Sequence, residues 1–211
     1  MFVIINSTPT RINKSHLVDL YERVSWAEPD RRFAARIVEM LYSEGDSPLR
    51  YRINRLGGRS KQEKWILQAE LFNEVHRWVR QAWSKIEKGD AADKRGAQRY
   101  YAMVRDFLKA CAQVWGDSWG NDTYMVTKPV TLKAMIRVCA DLTAQDADPE
   151  DGRIERWREK LSPWTDRIRD FRSDGFYERF PAKGQVERVA RVHRELGRAA
   201  GIQSRSSGRK E

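Results

Sequence analysis

The stretch whose reading decides the fold is MFVIINSTPTRINKSHLVDLYERV, residues 1–24. Phe2, Val3, Ile4 and Ile5 form a continuous apolar run rich in β-branched residues, the pattern of a strand buried on both faces. Residues 6–9 are turn formers, and either Asn13 or Ser15 can cap a helix in which Leu17, Leu20, Tyr21 and Val24 recur at helical spacing. Strand, turn and helix therefore follow in that order. A strand buried on both faces needs a neighbour on each side, because its N–H and C=O groups must be paired. The chain downstream offers almost none, so residues 2–5 are expected to belong to a sheet completed upstream of Met1 or in another molecule.

Outward from this stretch the pattern becomes helical. Pro29 suits a first helical position, with Phe33, Ile37, Met40 and Leu41 as the stripe and Gly45 as the stop. Arg31, Arg32 and Arg36 lie off that stripe, on a solvated basic face or facing an anion. Leu49, Tyr51 and Ile53 then alternate with polar residues, which predicts a short half-exposed strand and the best partner within the chain for residues 2–5. Ser60 and Glu63 form a capping box for a long helix over about 61–88. Gly57 and Gly58, with Arg59, Ser60 and Lys61 at that helix N-terminus, make either a phosphate seat or a plain turn into the helix. The spacing is not that of a Walker loop.

The long helix carries Trp65, Ala69, Phe72, His76, Val79, Trp83 and Ile86 at the helical period, with His76 read as a hydrogen-bonded core histidine in preference to a ligand or catalytic base. Beyond a polar linker at 89–96 comes a helix with Tyr101, Val104, Leu108, Cys111 and Trp115 in its stripe. Residues 116–123 break the pattern, and residues 124–126 suit a brief extended piece. Pro129 or Thr131 then starts a helix through Leu132, Met135, Ile136, Cys139 and Leu142. The acids of residues 146–152 fail the EF-hand frame, since Asp151 and Trp157 stand where Gly and Glu are required, leaving a surface loop. Two short helical pieces flank Pro163, and residues 175–181 are an aromatic connector. A last helix from about Gly184 is marked by Val186, Val189, Ala190, His193 and Leu196, with Arg188, Arg191 and Arg194 forming a basic strip on its other face.

With 211 residues, 40% of them hydrophobic and eight tryptophans among them, the chain is large and apolar enough to fold. A formal charge of +10 favours a polyanionic partner, nucleic acid being the commonest. Cys111 and Cys139 lack metal-ligand spacing and read as reduced buried thiols. No apolar run approaches a membrane span, and the expected setting is soluble and cytoplasmic. No nucleophile elbow, paired-histidine zinc motif or Walker pair occurs, so no catalytic residue, metal or cofactor is assigned. The tail GIQSRSSGRKE has the composition of a disordered basic terminus, which either attracts phosphates non-specifically or is inert.

FVIINSTPTRINKSHLVDL (2–20) resembles the strand–turn–helix segment of DGQHR-domain proteins, a bacterial and phage family similar in its core to the ParB/sulfiredoxin-like fold. The resemblance continues through LYSEGDSPLRYRINRLGGRSKQEKWI (41–66) and YYAMVRDFLKACAQVWGDSWGNDTYMVTKPVTLKAMIRV (100–138), although the motif Asp-Gly-Gln-His-Arg itself occurs nowhere. The chain thus resembles the C-terminal part of such a protein. The expected fold is mainly α: a helical bundle with a short N-terminal β remnant of a ParB-like α+β core. Its expected division is the remnant over 1–60, a helical domain over 61–200 and the basic tail over 201–211.

The resemblance implies a DNA-associated binding or regulatory role, linked to DNA modification or phage defence, with some relatives acting as transcriptional regulators and others linked to nucleotide hydrolysis. It transfers Asn6, Thr8 and Arg11, polar groups at a strand end where ParB-like sites collect. Nucleic-acid binding is expected to be non-specific and salt-sensitive. The alternative is the helical interaction half of a split enzyme whose active-site segment is encoded upstream. Residues 2–5 would then pair with that DGQHR-bearing fragment, or with a second copy of this chain.

Overall fold

Pro29 opens helix α1 (Pro29–Ser43) where its missing N–H leaves no intrahelical bond unmade. Phe33, Ile37 and Leu41 bury along one side together with Ala34, Ala35 and Val38. The computed structural model describes residue 18 and residues 28–55, 64–88 and 94–203. The strand expected at 2–5, the positions Asn6, Thr8, Arg11, Arg59, Ser60 and Lys61, and most of the basic tail lie outside the described residues. Of the first helix only Val18 is described; it is helical and buried in the core, although the expected stripe omits it.

Where α1 ends, the structure departs from the sequence reading. The stop is an extended Glu44 whose N–H still reaches the Met40 carbonyl, and Gly45 takes no left-handed conformation. Residues 48–52 are turns rather than a strand, although Leu49 and Ile53 are buried as the alternation requires. In this part of the described chain the extended structure is β1 (Ile53–Asn54), which pairs in parallel with β2 (Ile66–Leu67). The long helix expected from residue 61 is therefore shortened to α2 (Gln68–Lys88). Residues 65–67, expected helical, instead bond to the segment before them: the Trp65 N–H donates to the Arg52 carbonyl at 2.7 Å, and Ile66 lies opposite Ile53. A backbone N–H given to a distant strand cannot also close a helical turn. Helix α2 thus begins at Gln68 and not at the expected residue 61, while Ser60, Glu63 and the flanking Arg59 and Lys61 lie outside the described residues.

The remaining helices follow their stripes except at Val186. They are α3 (Lys94–Trp115), α4 (Pro129–Thr143), α5 (Arg153–Leu161), the short α6 (Phe176–Arg179) and α7 (Gln185–Ala199), with 3-10 turns at Gly116–Ser118 and Ser162–Phe171. The piece expected extended at 124–126 is reduced to one antiparallel bridge, Tyr124 with Arg172. The described residues are thus mainly helical, with two short parallel strands among them, as a bundle pattern implies.

Helix α4 is buried on nearly every side, from Val130 to Leu142, because α2, α3 and α7 all pack on it. Helix α1 packs on α2 and α3, so residues before and after position 60 share one core. On the far side of α3 an aromatic cluster joins α5 to the second 3-10 turn. Phe107 meets Trp157 and Trp164 edge-on, and Trp115, Phe171, Phe176 and Phe180 continue the cluster. Each ring removes a large apolar area from water, and edge-on pairs add to that. Cys111 and Cys139 are free and buried, and burial pushes both thiols well above the ordinary range, as inert core cysteines require.

Candidate nucleic-acid interface

Residues four apart on a helix share a face. On α2 this places Glu70 and Glu74 in one row; on α4 it places Lys133, Arg137 and Asp141 in another. The rows meet. Lys133 donates to Glu70 at 2.7 Å, and Arg137 grips both oxygens of Glu74 at 2.8 and 2.7 Å. One turn further, Asp141 turns instead to α7 and pairs with His193 Nε2 at 2.7 Å. Lys133, Glu74, Asp141 and His193 are all buried, so these bonds act as polar ties between helices.

Where α2, α4 and α7 meet, this seam opens into a cavity of about 180 Å³. Arg77, Trp78 and Gln81 line it from α2, Arg137 and Asp141 from α4, and His193 and Arg194 from α7. Through Arg77 and Gln81 it continues into an open groove with Asn73, His76 and Arg80. Through Arg194 it continues the other way into a basin lined by Arg179, Arg191, Glu195 and Arg198. The described lining of this face therefore includes seven arginines, at 77, 80, 137, 179, 191, 194 and 198, and three acids, Glu74, Asp141 and Glu195, with Asp30, Asp170 and Glu187 pairing from its edge.

Two of the lining acids are already committed, Glu74 to Arg137 and Asp141 to His193. Arg77, Arg80 and Arg194 are exposed and make no ion pair with a described residue. Arg191, Arg198 and Arg179 pair only with surface acids, with Glu187 at 3.5 Å, Glu195 at 3.1 Å and Asp170 at 3.1 Å. Exposed pairs of that kind are worth about 0–1 kcal/mol, so a phosphate competes for these guanidinium groups at little cost. His76 is held at 2.9 Å by Asp30 of α1, the hydrogen bond expected for it, but it is half-buried on the groove rather than in the core. The described lining of the cavity holds no serine, threonine or cysteine, so His193 has no nucleophile there to activate.

Of the strip expected on α7, Arg191 and Arg194 enter this face and Arg188 does not. Its guanidinium donates to the carbonyls of Phe180 at 2.9 Å and Ala182 at 3.2 Å and stacks over Tyr177, tying the aromatic connector to the helix. Val186, expected in the buried stripe, stands 78% exposed, and Val192 is buried instead. The period gives a direction, but burial also needs an element lying in that direction. Sequence reading missed Arg77 and Arg80, although their spacing of three on the polar side of α2 was the available signal. Arg198, four residues after Arg194, was available in the same way.

Among the described residues no group of three or more His, Cys, Asp or Glu side chains is placed to hold a metal ion. The acidic loop after α4 uses its carboxylates as acceptors: Asp148 takes Arg99 at 2.8 Å, and Asp146 takes Trp157 Nε1 at 3.2 Å. No described helix is long and apolar enough to cross a membrane. The face is a concave, arginine-lined surface of the bundle. No family model, curated protein or solved structure matches the chain.

Proposed function

We propose that this protein binds nucleic acid through the arginine face of α2, α4 and α7, engaging backbone phosphates without reading sequence. The observation that carries this reading is the trio Arg77, Arg80 and Arg194, exposed and without ion pairs to described residues, on a groove continuous with the basin of Arg191 and Arg198. Guanidinium groups engage phosphate oxygens two at a time, and a row of them suits a polymer better than a single anion. The net charge of +10 adds long-range attraction. Such a role is consistent with the DNA-modification or phage-defence setting that the DGQHR resemblance implies.

Duplex DNA titrated at several salt concentrations tests it. Affinity should fall steeply with salt, and Arg77→Gln, Arg80→Gln and Arg194→Gln combined should flatten the log–log slope by about two to three, near 0.9 for each phosphate that is no longer neutralised. Wild-type-like binding by the triple variant, or no binding by the wild type at low salt, overturns the reading.

A further inference from the structure

Tyr51 is the one non-glycine described residue with a positive φ, at 57°. Left-handed backbone crowds the Cβ of any L-residue, and Gly or Asn holds it with least strain. The turn itself explains the conformation. The Tyr51 N–H returns to the Tyr42 carbonyl at the end of α1 at 3.0 Å, and Lys64 Nζ donates to the Tyr51 carbonyl at 2.5 Å. Within the turn the ring is held only at its hydroxyl, which accepts from the adjacent Arg50 at 3.4 Å, and under the Arg50 guanidinium. Tyr51 meets Tyr42 edge-on at 5.5 Å, yet the residue remains 52% exposed.

Around it three guanidinium groups lie over three rings: Arg50 over Tyr51 at 4.9 Å, Arg52 over Trp65 at 5.1 Å and Arg55 over Tyr42 at 4.9 Å. Arg55 is also paired with Glu39 at 3.1 Å. Alternating rings and guanidinium planes present stacking surfaces for bases beside cations for phosphates. We infer that Tyr51 and its flanking arginines form a stacking platform for unpaired bases, so that the nucleic acid bound here is at least partly single-stranded. This rests on the nucleic-acid reading above but on different residues. A duplex keeps its bases stacked inside and offers this platform only its backbone.

Fluorescence anisotropy with labelled oligo(dT) and with a blunt duplex tests it on the full chain. Tyr51→Asn, which suits the left-handed backbone, should weaken oligo(dT) binding about tenfold, leave duplex binding unchanged and keep or raise the thermal midpoint. Tyr51→Phe should bind oligo(dT) as the wild type does. If Tyr51→Asn does not fold, Tyr51→Leu carries the same comparison without a ring. Unchanged oligo(dT) affinity in the ring-less variant, as for a peptide-docking surface, or equal losses for both DNAs, overturns the platform alone. Failure of the wild type to bind either DNA overturns the arginine-face reading with it.

Discussion

Arg153 is 1% exposed, and its partner Asp106 is almost as deeply buried. The Arg153 guanidinium donates Nε to the Asp106 carboxylate at 2.9 Å and one terminal N–H to the Ala147 carbonyl, and it lies over the Trp157 ring. A buried charge is tolerated only when paired and hydrogen-bonded, so the two residues depend on each other. Asp106→Ala should therefore cost about 3–5 kcal/mol in urea unfolding, because it strands a buried guanidinium. The double change Asp106→Leu with Arg153→Met should restore most of that loss. A single-variant cost under about 1 kcal/mol would show that water reaches Arg153. This node was invisible in the sequence, where Arg153 reads as one more cation in a charged segment and its partner lies 47 positions away. The tryptophans around it were legible as core, because an aromatic at helical spacing has few other uses.

At the scale of elements, Tyr101, Arg105 and Lys109 stand one turn apart on α3 and converge on Asp46, in the turn after α1. The Tyr101 hydroxyl donates to Asp46 at 2.5 Å, Arg105 follows at 2.9 Å and Lys109 lies at 3.8 Å. Burial alone would raise the Asp46 carboxyl, but the hydroxyl and the two cations outweigh it and hold the carboxyl below the usual 3.8. Burial and the Asp46 charge together push the Tyr101 phenol well above its ordinary 10.0. A lowered carboxyl contributes stability that is present above its unfolded value and lost as pH falls through the folded one. A raised phenol contributes below its unfolded value and loses that contribution as pH rises beyond it. The stability gap between wild type and Tyr101→Phe should thus be widest near neutral pH. It should narrow both below about pH 4 and above about pH 10, as read from urea midpoints across that range. A gap independent of pH would mean that the clamp is not electrostatic. Helices with such faces could be drawn from the sequence because one stripe fixes each of them. The β1–β2 pair could not, since two residues carry no period and Trp65 and Ile66 happen to extend the stripe of α2 backwards.

At the scale of the whole bundle, arginines of the described residues gather where α7 meets α2 and α4. Legibility fell off at this scale, because Arg191 and Arg194 were readable as a strip on one helix, whereas their continuity with Arg77 and Arg80 depends on α2 and α4 being zipped 63 positions apart. Arg179, Arg191, Arg194 and Arg198 line one basin of about 280 Å³, three of them against the partially exposed carboxylates of Asp170, Glu187 and Glu195. Guanidinium groups gathered so closely repel one another, and a multivalent anion that relieves the repulsion binds the folded chain in preference to the unfolded one. Tripolyphosphate at about a hundred times its dissociation constant should then add near 2.7 kcal/mol, which for a chain of this size raises the thermal midpoint by roughly 5–10 °C. The increase should disappear in high salt, because exposed charges are screened beyond a few ångströms there. Arg194→Gln with Arg198→Gln should lose most of it even at low salt, whereas Lys160→Gln, a charge outside the basin, should keep it. An equal shift in all three proteins would assign the effect to net charge alone and remove the basin from the binding face.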